Sequence, residues 1–110
     1  MKLQILVQEG LSLVSQVKLD ISYIRASNYT QASLNILETA TFNLSSAEDL
    51  LNYANELQVQ NVTSAAEKLL IACDAIKKVQ LMLAREFNLE TSSESKPWFD
   101  HVSENIGAFA

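Results

Sequence analysis

Residues 64–87 read SAAEKLLIACDAIKKVQLMLAREF, and this stretch decides the fold. Ala66, Leu69, Cys73, Ile76, Gln80, Leu83 and Phe87 recur alternately three and four residues apart. That period of 3.5 residues belongs to a helix whose apolar stripe seats against other helices. Ser64 followed by Glu67 has the form of a capping box that starts such a helix. The segment runs to about Leu89 before polar residues take over.

Two earlier segments carry the same period. In Leu3 to Ala26 the stripe is Leu3, Val7, Gly10, Val14, Val17, Ile21 and Ile24. A glycine inside a helix costs about 1 kcal/mol relative to alanine, so Gly10 on this stripe predicts a neighbour that approaches closely. In the second segment the stripe is Ser33, Ile36, Ala40, Asn43, Ala47, Leu50, Ala54 and Leu57. Asn28 with Gln31 fits a capping box at its start. Ser45 with Glu48 offers a second start inside it, but the unbroken heptad favours one helix. Residues 58–63 form the next turn.

Laid antiparallel, the stripes pair Val7 with Leu50, Gly10 with Ala47 and Val17 with Ala40. The second and third pair Ala40 with Leu83, Ala47 with Ile76 and Ala54 with Leu69. Large residues opposite small ones fill space at the density of protein interiors. Flanking residues widen each stripe on two sides: Leu37, Leu44 and Leu51; Leu6 and Leu13, towards Leu70; and Tyr53, Ala72 and Val79. Two apolar flanks per helix define a three-helix arrangement. One layer, Val14, Asn43 and Gln80, is polar, and a paired Asn–Gln amide would set the register there. The expected fold is all-α: an up-down-up, coiled-coil-like three-helix bundle with a short C-terminal fourth helix. The bundle covers residues 1–90, a polar linker 91–96, and the amphipathic helix 97–110, docked on the bundle or on a partner.

That last helix is where function is sought. Pro97 suits a first turn, and Trp98, Val102, Ile106 and Phe109 follow at helical spacing, with Phe99 beside them and Gly107 as the stop. The third helix keeps Ala75, Leu81, Met82 and Leu89 off its stripe, and the first has Leu19 and Tyr23 near the same end. Three helices alone leave these exposed, and a contiguous apolar patch marks an interface. The candidate interaction surface is therefore Leu19, Tyr23, Leu81, Met82 and Leu89, met by Trp98, Phe99, Val102, Ile106 and Phe109 of the tail, in the same chain or in a second copy.

Composition excludes several classes. The 110 residues carry a net charge of −5 and two glycines and one proline. A nucleic-acid or anionic-membrane binder needs a basic face; Lys77 and Lys78 are interleaved with Glu67, Asp74 and Glu86, the ordinary solvated side of a helix. No run approaches 18 apolar residues, and Gln8 and Glu9 interrupt the only N-terminal apolar stretch, so the expectation is a cytoplasmic chain. Asn28, Asn43 and Asn61 each begin an Asn-x-Ser/Thr triplet, read as chance in a chain rich in those residues. Cys73 is the only cysteine and lies on the stripe, as a small buried apolar group does. His101 is the only histidine; Trp98, not Glu, precedes it by three, so the Glu-x-x-His of di-iron bundles is missing. Neither a phosphate-binding glycine loop nor Cys-x-x-Cys occurs. No catalytic residue, metal or cofactor is expected.

The stretch Ala26-Ser27-Asn28-Tyr29-Thr30-Gln31-Ala32 locally resembles the helix–turn–helix of tetratricopeptide and microtubule-interacting-and-transport domains, which often carry Asn-Tyr-x-x-Ala at that turn. The later tetratricopeptide alanine falls one position off, at Ala40 where Thr39 stands, and there is no second repeat. Three helices in this order suit the second of these families. The functional expectation is a non-catalytic helical protein–protein interaction module: an adaptor, regulator or assembly subunit. Its partner is another protein or a second copy. The alternative is a self-associating structural homodimer; a helical ligand binder or enzyme is the least supported.

Overall fold

The computed structural model describes residues 2–27, 30–88 and 95–109. Helix α1 is Leu3–Ser27, α2 is Gln31–Leu57, α3 is Val62–Phe87 and α4 is Ser95–Asn105, followed by a 3₁₀ turn at Ile106–Phe109. The three long helices pack against one another as a bundle, with the short fourth helix laid on it. The molecule measures 45 × 22 × 16 Å. A helix of 27 residues spans about 40 Å at 1.5 Å per residue, so the bundle is one helix long.

The helix starts differ by a few residues from the capping boxes read in the sequence. Thr30 caps α2: its Oγ1 accepts from the Ser33 N–H at 3.2 Å. Asn28 lies outside the described residues. Asn61 caps α3, its Oδ1 accepting from the Ser64 N–H at 3.0 Å, so Ser64 receives the cap instead of supplying it. Asparagine and threonine are good caps because a short side chain reaches an N–H that has no helical partner. Asn88 closes α3 in the left-handed region, with φ 53°. Helix α2 runs unbroken through Ser45, both of whose flanking heptads are anchored by buried residues.

Every α1 stripe residue is buried, as are Leu6 and Leu13. On α3, Ala66, Leu69, Cys73, Ile76, Gln80 and Leu83 are buried and Phe87 is partly so. The second helix differs. Its covered residues are Leu37, Ala40, Leu44, Ala47, Leu51 and Ala54; Ser33, Ile36, Asn43, Leu50 and Leu57 are only partly buried. The helix is therefore rotated by about one position from the stripe that the period alone suggested. Two stripes share Ala40, Ala47 and Ala54, and the one completed by three leucines buries more apolar surface than the one carrying Ser33 and Asn43.

That rotation undoes the polar layer. Gln80 is 6% exposed, and its Oε1 is buried without a hydrogen-bond partner, while Asn43 has moved to the margin of the core. The expected Asn43–Gln80 pair thus does not satisfy that oxygen, and a buried acceptor left unpaired costs about 1–3 kcal/mol. Two flanks are also reassigned. Leu70 and Tyr53 are about half exposed, and Ala65, Ala72 and Val79 complete the covered face of α3. Helices α2 and α3 make the most extensive contact, and α1 touches α3 less than it touches α2. The side chains along the α1–α3 junction thus need a further cover, and α4 supplies it.

Ile76 is fully buried and Ile71, on the same helix, is 53% exposed. Ile76→Ala is expected to cost about 2–5 kcal/mol in urea denaturation, and Ile71→Ala about 0.5 kcal/mol or less. Equal costs would mean that α3 presents a different face to the bundle.

Candidate functional site

The site is the cleft between α1 and α3 and the surface that continues it. Lys18 of α1 pairs with Glu48 of α2 at 2.8 Å, which marks the side of α1 that faces α2. Helix α4 takes the other side. Its anchor is Trp98, 3% exposed, whose Nε1–H donates to the Leu6 carbonyl at 2.8 Å. The indole fills the notch left by Gly10: a Cβ at that position would stand 2.6 Å from Trp98 Cζ2. One helical turn further along α4, Val102 is also buried.

Weaker contacts align the rest. Phe99 lies 5.3 Å from the Trp98 ring, tilted by 53°, and Lys77 Nζ sits 5.1 Å from the Phe99 centroid. The half-exposed His101 Nδ1 stands 3.4 Å from Glu9 Oε2. At the far end, Thr63 Oγ1 donates to the Phe109 carbonyl at 3.0 Å, which ties the last turn to the start of α3. Surface pairs of this kind contribute on the order of 0–1 kcal/mol each. Apolar burial of the tryptophan, valine and neighbouring side chains therefore dominates the docking.

Of the candidate interaction residues, Trp98 and Val102 are in the core, and Met82, Phe99, Ile106 and Phe109 pack against it in part. Leu19, Tyr23 and Leu81 stay 64%, 72% and 56% exposed, and Leu89 lies outside the described residues. The tail thus docks in the same chain, but on the first half of α1 and not beside Leu19 and Tyr23. The residues that seat it, Leu6, Gly10 and Leu13, were legible only as stripe and flank positions. Gly10 was the available signal: a close neighbour was expected there, and it is the Trp98 indole in place of a helix backbone.

Two of the uncovered residues continue the α1 stripe that borders α4. Ser12 and Gln16 line the groove beside Pro97 and His101. Leu19 and Tyr23 follow them at spacings of three and four, hence on the same stripe of α1. On α3, Leu81 follows Lys77 by one turn. Leu19 and Tyr23 are therefore exposed apolar residues on one stripe of α1, and Leu81 is a further one on α3. Tyr23, Ile24, Thr30 and Phe87 line a shallow groove at the end of the bundle.

Other chemistry is sparse. Cys73 is 5% exposed, and burial pushes its thiol pKa up, with Asp74 adding to the rise and Lys77 opposing it. Among the described residues no three His, Cys, Asp or Glu side chains gather where they could hold a metal ion, and no helix is long and apolar enough to cross a membrane. No protein-family model, curated protein or solved structure matches the chain.

Two outcomes follow. Gly10→Ala gains about 1 kcal/mol of helix propensity but displaces an indole whose burial contributes about 1.5–3 kcal/mol and whose hydrogen bond adds about 1. The net expectation is a loss of about 1–3 kcal/mol with a red shift of Trp98 emission; a gain in stability with unchanged emission would remove the notch. For Cys73, the folded state holds its proton to higher pH than the unfolded state. Its contribution to stability is thus complete below the ordinary thiol pKa of 9.0 and declines as pH rises above that value. Urea denaturation at pH 8 and pH 10 is expected to show a larger alkaline loss for the native chain than for Cys73→Ala.

Proposed function

We propose that this chain is a non-catalytic helical protein–protein interaction module, an adaptor, regulator or assembly subunit, that binds through the exposed apolar residues Leu19, Tyr23 and Leu81. The observation that carries the reading is the exposure of these three large apolar side chains, two of them one turn apart on α1 and the third on α3. Single exposed apolar residues such as Val59 are ordinary. Several large apolar side chains left in water on the helices that hold α4 are what a partner covers. Each such side chain is worth about 1.5–3 kcal/mol when fully buried, enough for a weak to moderate complex once the cost of association is met.

The remaining chemistry supports the same reading. The buried Cys73 is a poor nucleophile with its pKa raised, and His101 faces Glu9 on the surface of the tail. A single cysteine suits a reducing compartment, in keeping with a cytoplasmic role.

The test is site-specific photo-cross-linking in the native host, with benzoylphenylalanine in place of Tyr23 and, separately, of Phe42. Both positions are 72% exposed, and Phe42 lies on α2, a different helix from Leu19, Tyr23 and Leu81. A discrete adduct from position 23 and none from position 42 is expected. Adducts of the same kind from both positions would dissolve the assignment of the binding face.

A further inference from the structure

We infer that α4 with its last turn is a strap that opens while the three-helix bundle stays folded, and that its opening uncovers Cys73. Closed, the strap shields the thiol; open, it leaves Cys73 to thiol-directed reagents in solution.

Cys73 lies under the path of the strap. Lys77 Nζ sits 5.1 Å from the Phe99 ring at one end of that path, and Thr63 holds the Phe109 carbonyl at the other. The arm from Phe99 to Phe109 therefore runs antiparallel to α3 and crosses the levels between residues 77 and 63. Cys73 is one turn before Lys77, turned from it by about 40° at 3.6 residues per turn. Ala66, seven residues further back, lies on nearly the same line. Both are buried, whereas Leu70 and Lys77, to the outside of that line, are exposed. Helix α1 meets α3 only narrowly along this edge, so the arm completes the cover.

The arm is the part of the molecule that opens first. Among the described residues its fully covered side chains are Trp98 and Val102, and every other buried core residue belongs to α1, α2 or α3. Its polar ties to the body include the exposed Thr63–Phe109 hydrogen bond and the half-exposed His101–Glu9 pair. Helix α4 has 11 residues, too few to stay helical in water without a seat, so undocking and unwinding are one step. When the arm leaves, the leucine and alanine face of α2 keeps both its neighbours. Opening thus exposes a small part of the surface that full unfolding exposes, and units of that kind open at a lower free energy than the whole.

Opening also changes the thiol. In the closed chain burial holds it protonated, with Asp74 adding to that and Lys77 opposing it. When the arm leaves, the burial is lifted and Lys77 is released from the Phe99 ring, one turn from the sulfur. Exposure and a neighbouring cation both favour the thiolate.

One cysteine per chain makes the opening directly readable. The full-length chain is mixed with dithiobis-nitrobenzoate. The Cys73 thiolate attacks the disulfide of the reagent, forms a mixed disulfide and releases one thionitrobenzoate, which is followed by absorbance. Labelling is expected in native buffer, at a rate that changes little over the first part of a urea titration, where circular dichroism is still that of the folded bundle. A rate that climbs with urea as steeply as the unfolding equilibrium would mean that the thiol is reached only by unfolding the bundle, and would overturn the inference. Trp98→Ala is expected to speed labelling on the order of 100-fold with its helical signal retained. If that variant loses the signal, Val102→Ala takes its place, with a rise of about tenfold. Leu37→Ala, at a fully buried position of α2, is expected to lower the urea midpoint and to leave the labelling rate in native buffer within about twofold. Equal acceleration by the arm variant and by Leu37→Ala would overturn the inference, as would an unchanged rate in the arm variant.

Discussion

The seat of one indole on one glycine holds the architecture together. Three antiparallel helices with stripes of this width leave the α1–α3 junction under-covered, because α2 draws both neighbours onto its leucine and alanine face. Trp98 closes that gap. It enters only where a side chain is absent, and its N–H finds a helix carbonyl that is already in use but has a second lone pair. The glycine penalty in α1 and the exposure penalty of a tail tryptophan are each unfavourable alone. Together they make a lock that is apolar, oriented and satisfied.

The period of 3.5 residues makes the helices, their order and most of the core legible in the sequence. Val7, Ala47, Leu69 and Ile76 are where the spacing puts them. The period could not choose between the two α2 stripes that share Ala40, Ala47 and Ala54, since both repeat identically. The choice lay in residue size and polarity, with leucines on one side and Asn43 and Ser33 on the other. The unpartnered Gln80 oxygen follows from that choice.

The candidate site was legible in kind but not in place. Amphipathic spacing in the tail identified Trp98 and Val102 as residues needing cover, and both have it. Where the tail would land depends on shape, on a notch the width of one missing methyl, and the sequence shows that notch only as a glycine of unstated purpose. The apolar residues nearest in sequence, such as Leu81 and Met82, were the obvious seat for the tail. Geometry passed over Leu81 because α4 must reach back to Gly10, which leaves Leu81 in water.

The hydrogen bond between Trp98 and the Leu6 carbonyl joins residues 92 positions apart. Contacts within the α1–α2 and α2–α3 hairpins are short-range by comparison, and loop closure favours forming them first. An arm that docks after those hairpins exist has its contacts absent from the folding transition state. Interactions of that class leave the folding rate almost untouched and act on the unfolding rate. The indole is then a kinetic clasp: it governs how long a folded molecule stays closed far more than how quickly one forms.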